Sequence, residues 1–257
     1  MKNKNIDTAV ILAAGKGERI SNTDGFVAKP LIKIFDVSLI ERSIKNLINN
    51  LNIKKIYIVT GFNHNEINNH LVKLQNKFSI NIEAVFAKDW EKGNGASFLA
   101  ILDKIKHEQF YLLMADHLFN DEFYKAILKY KINDKSYLII SRTLSSLNDF
   151  NDATKVKVVE DKISDIGKSI KESNGFDTGF FILSSDEFNN VNKLSARKKL
   201  SLTEVIQELV KQKKLYFIEV SEDGWFDIDT NQDLLKAKNY LLNNSNSKLM
   251  MVQYLSI

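Results

Sequence analysis

The sequence predicts an α/β protein built on a doubly wound, mostly parallel sheet. Apolar runs of strand length alternate with segments in which apolar residues recur at helical spacing. The first run, Val10, Ile11 and Leu12, is uninterrupted, as in strands that are covered on both faces. It leads directly into a loop with two glycines, and such loops at the carboxyl ends of parallel strands are where these sheets bind ligands.

The first half of the chain supplies four predicted strands and three predicted helices. The strands are rich in β-branched and aromatic residues and cover residues 8–14, 55–60, 80–87 and 110–115. The helices lie between them, at residues 38–51, 64–77 and 96–106. This alternation favours right-handed βαβ units, which bring the carboxyl ends of the strands to one edge of the sheet.

The second half of the chain is richer in strands. Strands are predicted at residues 136–143, 155–159, 163–166, 176–183, 215–220 and 225–228, with helices from about 184, from about 201 and at 231–242. We expect these strands to continue the first sheet as a Rossmann-like mixed sheet that closes over its open edge. The prediction is one domain over residues 1–243, followed by a C-terminal tail, 244–257, of unknown role.

The composition argues against several classes of protein. The net charge is only +4 and the lysines are dispersed, so no nucleic-acid partner is expected. No apolar stretch approaches the ~18 residues of a membrane span, and the polar start is unlike a signal peptide, which predicts a cytoplasmic protein. The absence of cysteine excludes disulfides and thiolate catalysis. The composition leaves the oligomeric state open.

The loop after the first strand is a predicted phosphate site. Gly15 and Gly17 allow a sharp turn in which backbone N–H groups approach anionic oxygens. Arg19 can offer a planar fork to a phosphate, and Lys29 adds further positive charge. We therefore assign a nucleoside triphosphate to the strand end and loop, which comprise Leu12, Ala13, Ala14, Gly15, Lys16 and Gly17.

Two better-known phosphate loops do not fit this segment. A dinucleotide-binding loop needs a third glycine where this chain has Ile20. A P-loop needs four residues between its glycines and then Lys-Ser or Lys-Thr. Taken alone, the loop could also be an ordinary strand-to-helix turn with solvated charges.

A second glycine pair, Gly93 and Gly95, lies between a predicted strand and a predicted helix. Its glycines would let the backbone approach a flat nucleobase, and Asn94 could contact the polar edge of that base. We assign Lys92, Gly93 and Asn94 to nucleotide binding. A plain helix-entry turn is the alternative.

Two acidic segments are candidates for a metal site. Asp116 follows the strand predicted at 110–115, at the same sheet edge as the glycine loop. Strand alternation places Asp227 and Asp229 on one face. Because Mg²⁺ favours one or two carboxylates with phosphate oxygens and water, Asp116 and Asp229 are the predicted ligands and Asp227 is the fallback. Asp229 could instead cap the helix that begins near 231.

Three residues of the second half are candidates for binding a second substrate. Lys155 could hold an acceptor phosphate, and Asp177, followed by Thr178, could accept hydrogen bonds from acceptor hydroxyls. A solvated strand lysine and a turn aspartate are the alternatives.

Taken together, these motifs resemble those of the nucleotidyltransferases that make activated sugars and alcohols. That resemblance rests on segments 12–19 and 29–31 and on Asp116. A finer resemblance is to the CTP:inositol-1-phosphate cytidylyltransferases and the related phosphonate cytidylyltransferases. It covers about residues 6–240 through segments 91–95, 114–117, 153–155, 165–168, 177–181 and 227–230. The resemblance implies a GT-A-like nucleotidyltransferase fold, triphosphate binding by the first loop and Arg19, phosphate contact by Lys29, and Mg²⁺ binding by Asp116.

The resemblance also implies a reaction. CMP would pass from CTP to a small phosphorylated alcohol, with inositol-1-phosphate as the leading acceptor, and pyrophosphate would be released. A phosphate monoester is already largely ionised at neutral pH, so no general base is needed. Arg19, Lys29 and Lys155 would act by positioning and charge neutralisation. The alternatives are a phosphonate acceptor (2-aminoethyl- or 2-hydroxyethylphosphonate), a sugar-1-phosphate nucleotidyltransferase, and a non-catalytic nucleotide-binding subunit.

The chain departs from the family pattern at three points. Ala115 stands where glycine is usual, and Ala28 where proline is common. Many relatives also fuse this domain to a membrane-embedded phosphatidyltransferase-type enzyme, and no such segment is seen in this sequence. The third departure leaves the identity of the acceptor open.

Overall fold

The computed structural model describes residues 6–20, 28–145 and 149–244. Its strands are β1 (Thr8–Ala13), β2 (Lys33–Ile34), β3 (Val37–Ser38), β4 (Lys55–Thr60), β5 (Asn81–Phe86), β6 (Gln109–Met114), β7 (His117–Phe119), β8 (Ser136–Ser141), β9 (Lys155–Val159), β10 (Lys162–Gly167), β11 (Gly175–Ser184), β12 (Leu215–Val220) and β13 (Trp225–Asp227). Its α-helices are α1 (Leu39–Leu51), α2 (His64–Phe78), α3 (Asn94–Leu99), α4 (Asp121–Leu128), α5 (Leu202–Lys211) and α6 (Asn231–Asn244).

A nine-stranded mixed sheet forms the centre of the fold, in the order β5-β4-β1-β6-β11-β8-β12-β10-β9. The first four strands in this order are mutually parallel, as predicted from the βαβ alternation. β11 then runs antiparallel to β6 and β8. Because β9 pairs with both β10 and β11, the strands β8 to β12 form a closed ring of paired strands. The predicted mixed α/β fold is confirmed.

Strand β1 is buried on both faces, which explains its uninterrupted apolar sequence. Ile11 belongs to a core with the apolar residues of α1, α2 and α4, whereas Val10 and Leu12 belong to a second core with α3 and α5. Helices therefore cover both faces of the sheet. Ser38 caps α1 by accepting from the N–H of Glu41 at 3.2 Å, which fixes the start of that helix.

Several elements differ from the prediction. The helix predicted at 96–106 is the shorter α3, followed by a 3₁₀ turn at Leu102–Lys104, because local bonds to the third residue back tighten the chain. The helix expected from about 184 is two 3₁₀ segments. Helix α4 was not predicted. The last strand, β13, is shorter than expected and pairs with β7 outside the main sheet.

Two further expectations concern the C-terminus and membranes. Helix α6 continues to Asn244, beyond the predicted end at 242, and the rest of the predicted tail, residues 245–257, lies outside the described residues. Within the described ranges, no helix combines the length and the apolar character that a membrane crossing requires.

Candidate active site

The ends of β1 and β6 bring the glycine loop beside Asp116. Leu12 pairs with Met114 in parallel register, and the N–H of Ala115 donates to the carbonyl of Leu12 at 3.0 Å. The loop that begins at Ala14 and the turn that contains Asp116 therefore leave adjacent strands at the same edge.

The pairing of β7 with β13 adds the distant acidic segment to this edge. Asp227 pairs with His117 across the two strands, and the N–H of Ile228 donates to the carbonyl of Asp116 at 3.1 Å. The pairing of β7 with β13, which lies outside the main sheet, therefore brings Asp227 and Asp229 close to Asp116.

Gly17 is required by close packing against Lys29. Its φ is +66°, and a Cβ at this position would lie 2.6 Å from the Cβ of Lys29, which is closer than real contacts allow. A Cβ at Gly15 would meet no atom within 4 Å. The two loop glycines therefore differ, because a Cβ would collide with Lys29 at Gly17 but would have open space at Gly15.

Lys29 joins the two predicted metal ligands. Its Nζ lies 2.6 Å from Asp116 Oδ2 and 2.6 Å from Asp229 Oδ1, and its side chain is only 8% exposed. Burial works to lower the pKa of Lys29, but the negative charges of Asp116, Asp227 and Asp229 outweigh burial and raise this pKa well above its usual range. The lysine is therefore charged, and its ammonium group lies between the two carboxylates.

The other oxygen of Asp116 faces His117. His117 Nδ1 lies 2.9 Å from Asp116 Oδ1 and 3.7 Å from Asp227 Oδ1. Burial works to lower the pKa of His117, but Asp227 and the hydrogen bond to Asp116 outweigh it and raise the pKa to about 9. Burial likewise works to raise the pKa of Asp116, but Lys29 and His117 hold it well below its usual range. Asp116, His117 and Asp227 also form a cluster whose ligand atoms lie within 4.8 Å of one another.

Arg19 connects this cluster to a second ion-pair network. Its Nη2 lies 2.5 Å from Asp229 Oδ2, and its Nη1 lies 2.8 Å from Asp152 Oδ2. The other carboxylate oxygen of Asp152 pairs with Lys168. Hydrogen bonds from Lys168 and Arg19 lower the pKa of Asp152 to about 2, so this carboxylate is ionised at neutral pH.

Two cavities adjoin at these charged groups. The first cavity, of about 750 Å³, lies beside the glycine loop, and the second, of about 780 Å³, lies beside β11 and β13. Five residues line both cavities: Arg19, Asn94, Met114, Asp116 and Asp229. Ligands in the two cavities would therefore meet at the predicted metal ligands.

The residues assigned to nucleotide binding mostly line the first cavity. Those that do so are Leu12, Ala13, Ala14, Gly15, Lys16, Gly17, Lys29, Gly93 and Asn94. Asn94 Oδ1 accepts from the N–H of Leu202 at 2.7 Å, so its carbonyl end is already bonded to the start of α5. Lys92 is directed elsewhere, because its Nζ pairs with Asp89 at 3.2 Å.

Of the residues assigned to the acceptor, the structure brings only Asp177 into the second cavity. Its Oδ1 accepts from the N–H of Gly179 at 2.7 Å, and burial raises its pKa to about 6. Thr178 is fully buried and donates to the carbonyl of Ile139 at 2.8 Å, because neighbours along a strand point to opposite faces. Thr178 is not among the residues that line the second cavity, and its assignment to the acceptor stays a prediction.

Lys155 is likewise not among the residues that line the second cavity. Its Nζ donates to the carbonyl of Lys168 at 3.4 Å. Lys168 lines the cavity instead, together with Asp152. These two residues were missed as site residues, although segment 165–168 was part of the family resemblance. Asp152 pairs with Arg19, and Lys168 pairs with Asp152; both contacts depend on folding and give no local signal in the sequence.

Comparisons with known proteins place the chain in a family. The sequence pattern of the Nucleotidyl transferase family matches residues 8–244. The chain is 34% identical to the Bifunctional IPC transferase and DIPP synthase of Aquifex aeolicus over 238 residues, which are 92% of this chain and 52% of that protein. It is 30% identical to the Archaeoglobus fulgidus protein of the same name, over 91% of this chain and 44% of that protein. The chain thus spans about half the length of these relatives.

The fold also matches solved structures. The inositol-1-phosphate CTP transferase of T. maritima superposes with a TM-score of 0.84 at 24% identity, covering 96% of this chain and 99% of that one. A glucose-1-phosphate thymidylyltransferase from Bacillus anthracis, described as putative, superposes with a TM-score of 0.78 at 21% identity, covering 93% and 96%. At these identities the solved structures show only that the fold is shared. The family assignment rests instead on the sequence pattern, which matches residues 8–244. The chain belongs to the Nucleotidyl transferase family.

Proposed function

We propose that this chain is a Mg²⁺-dependent cytidylyltransferase that transfers CMP from CTP to inositol-1-phosphate and releases pyrophosphate. One observation carries the proposal: Arg19, Asp116 and Asp229 line both cavities, where a nucleotide and an acceptor would meet. The names of the relatives, IPC transferase, and of the structural neighbour, inositol-1-phosphate CTP transferase, support this choice of substrates.

The first cavity suits the nucleotide. Its volume of about 750 Å³ is within the range of roughly 300–1,000 Å³ that is usual for small-molecule sites. The loop through Gly15 and Gly17 presents backbone N–H groups to phosphates, and Arg19 and Lys29 supply the opposing charge. The base would lie toward Gly93, where φ is +122° and the chain packs closely on the backbone of Leu200.

Asp116 and Asp229 would hold the Mg²⁺ ion. Both carboxylates already bind one positive group, the ammonium of Lys29, at 2.6 Å, so they fit a compact cation. His117 contacts Oδ1 of Asp116 and leaves Oδ2 directed to that cation. When bound, Mg²⁺ would neutralise charge on the triphosphate.

The second cavity suits the phosphorylated acceptor. Arg19 and Lys168 both bind the carboxylate of Asp152, which therefore stands where an anionic phosphate would be held between two cations. Asp177 keeps one carboxylate oxygen beyond its bond to Gly179, and this oxygen would accept from an acceptor hydroxyl.

The reaction follows from this placement. An acceptor phosphate oxygen forms a bond to the α-phosphorus of CTP, and the bond from that phosphorus to the bridging oxygen breaks to release pyrophosphate. The attacking oxygen is already ionised at neutral pH, so no proton has to be removed. Arg19 and Lys29 stabilise the charge on the phosphoryl group and the leaving pyrophosphate.

A substrate matrix tests the proposal. Pyrophosphate release is measured with Mg²⁺ for CTP, UTP, ATP and dTTP, each paired with inositol-1-phosphate, 2-aminoethylphosphonate, 2-hydroxyethylphosphonate or glucose-1-phosphate. Turnover confined to CTP with inositol-1-phosphate is expected. Turnover with a phosphonate or with a sugar phosphate alone would contradict the acceptor assignment, and silence throughout would contradict the activity. Asp116→Asn serves as the inactive control.

A further inference from the structure

Phe150 is an exposed aromatic residue at the second cavity. Its side chain is 58% exposed, and it alone among the exposed large apolar side chains of the described ranges lines that cavity. Leaving most of a phenylalanine in water forgoes much of the free energy that burial would provide. An apolar surface that opens into a polar cavity is a common feature of small-molecule sites.

The ring of Phe150 is held by two neighbours. Lys155 Nζ lies over the ring at 4.8 Å from its centroid, and Phe176 meets it edge-to-face at 5.8 Å between centroids. The same ammonium donates to the carbonyl of Lys168 at 3.4 Å. Lys155 therefore links the aromatic ring to the chain segment that carries the cavity lysine.

The cavity opposes this ring with hydrogen-bonding groups. Asp177, Thr154 and Thr203 line it, and Lys168 and Arg19 supply positive charge. A cyclic polyol monophosphate matches this combination, because its ring presents C–H groups to an aromatic surface while its hydroxyls and phosphate extend outward. A short linear acceptor has no comparable apolar face.

We infer that Phe150 is a specificity-determining residue, against which the ring of a cyclic polyol monophosphate packs, and that Lys155 positions Phe150 rather than binding the acceptor phosphate. This inference rests on the proposed function. It explains how Lys155 acts at the second cavity without lining it.

Steady-state kinetics with two acceptors test the assignment. For Phe150→Ala, kcat/KM for inositol-1-phosphate should fall about tenfold, mainly through KM, whereas kcat/KM for linear glycerol-1-phosphate, or its inhibition constant against inositol-1-phosphate, should change less than about twofold. Phe150→Tyr should retain the preference. Val159→Ala removes another exposed apolar side chain, 50% exposed and outside the cavity, and should leave the values for both acceptors unchanged. Equal losses on both acceptors, or none, would overturn the inference.

Lys155→Met separates positioning from direct phosphate binding. A positioning lysine predicts a loss of about threefold in kcat/KM for inositol-1-phosphate, with kcat and the glycerol-1-phosphate value retained. Equal loss of both acceptors would instead show a phosphate contact and overturn this part. If the wild-type protein releases no pyrophosphate with any acceptor phosphate, the proposed function fails as well. If the wild-type protein is active but Phe150→Ala shows no selective loss for inositol-1-phosphate, the inference about Phe150 is refuted and the proposed function still stands.

Discussion

The most direct test of the cation site is removal of the lysine that occupies it. Lys29→Met keeps an apolar stem of similar length but leaves Asp116 and Asp229 without the ammonium group 2.6 Å from each. Deleting one partner of a buried ion pair costs roughly 3–5 kcal/mol. The two carboxylates keep 22% and 20% exposure, so we expect a smaller loss, about 2 to 3 kcal/mol of the free energy of unfolding. This corresponds to a fall in Tm of about 4–12 °C.

Added Mg²⁺ should restore stability to Lys29→Met more than it stabilises the wild-type protein. In the wild type a metal ion must displace the ammonium group, whereas in the variant the two carboxylates face each other without it. Thermal unfolding is followed with and without MgCl₂ at constant ionic strength. Lys16→Met is the matched control, because Lys16 lines the same cavity but is 46% exposed; among the described residues it pairs with Glu18 at 3.7 Å and lies 5.7 Å from the centroid of the Trp90 ring. Its stability should change by less than about 0.5 kcal/mol.

Two results would refute this reasoning about Lys29. The first is a Tm for Lys29→Met equal to that of Lys16→Met, which would mean that the carboxylates do not depend on the lysine. The second is an equal effect of Mg²⁺ on the wild type and on Lys29→Met. In that case the ammonium group and the metal would not share a position.

Three further predictions concern single residues of the site. Gly17→Ala should lower the free energy of unfolding in urea by about 1–2 kcal/mol or more, because φ is +66° and the new Cβ would meet Lys29, whereas Gly15→Ala should be near neutral; equal effects would contradict the packing argument. Asp177 has a folded pKa of about 6 against an ordinary 3.8, so its protonated form stabilises the protein below about pH 4, and this contribution is lost as the pH rises through 6. Asp177→Asn should therefore gain about 3 kcal/mol relative to the wild type between these pH values, and a constant difference in urea titrations would contradict it. Asp116→Asn should abolish pyrophosphate release with an unchanged circular dichroism spectrum, and near-normal activity would remove Asp116 from the metal site.

The parallel half of the fold could be predicted from the sequence because its signals are local. The apolar run of β1 and the helical spacing of the apolar residues in α1 each indicate, within one segment, which residues are buried. The errors arose where long-range pairing decides the structure. The sequence of β13 predicts a strand of the main sheet, but β13 pairs with β7 outside that sheet. The pairing of β9 with β11, which closes the ring of strands, joins two strands that are not consecutive in the chain. The spacing of apolar residues within a strand does not indicate which other strand it pairs with.

The candidate site likewise has a part that could be predicted from the sequence and a part that could not. Residue types at strand ends identified Asp116, Lys29 and Arg19, since loops after parallel strands meet at one edge. Lys155 was the predicted acceptor lysine, whereas Lys168 entered only within the family resemblance, and sequence alone does not show which ammonium lies at the cavity. In the structure Lys155 Nζ donates to the carbonyl of Lys168, and of these two lysines only Lys168 lines the second cavity.

The pairing of charges across the site explains why single residues there should have large effects. Lys168, Asp152, Arg19, Asp229, Lys29 and Asp116 form a chain in which positive and negative groups alternate. Under the proposed function, Lys29 would occupy the place of the metal cation and Asp152 that of the acceptor phosphate. Each substrate charge would therefore replace an internal charge rather than add to an unbalanced site. Because the positive and negative groups of this chain compensate one another, removing one member leaves its neighbours uncompensated, as the Lys29→Met experiment is designed to detect.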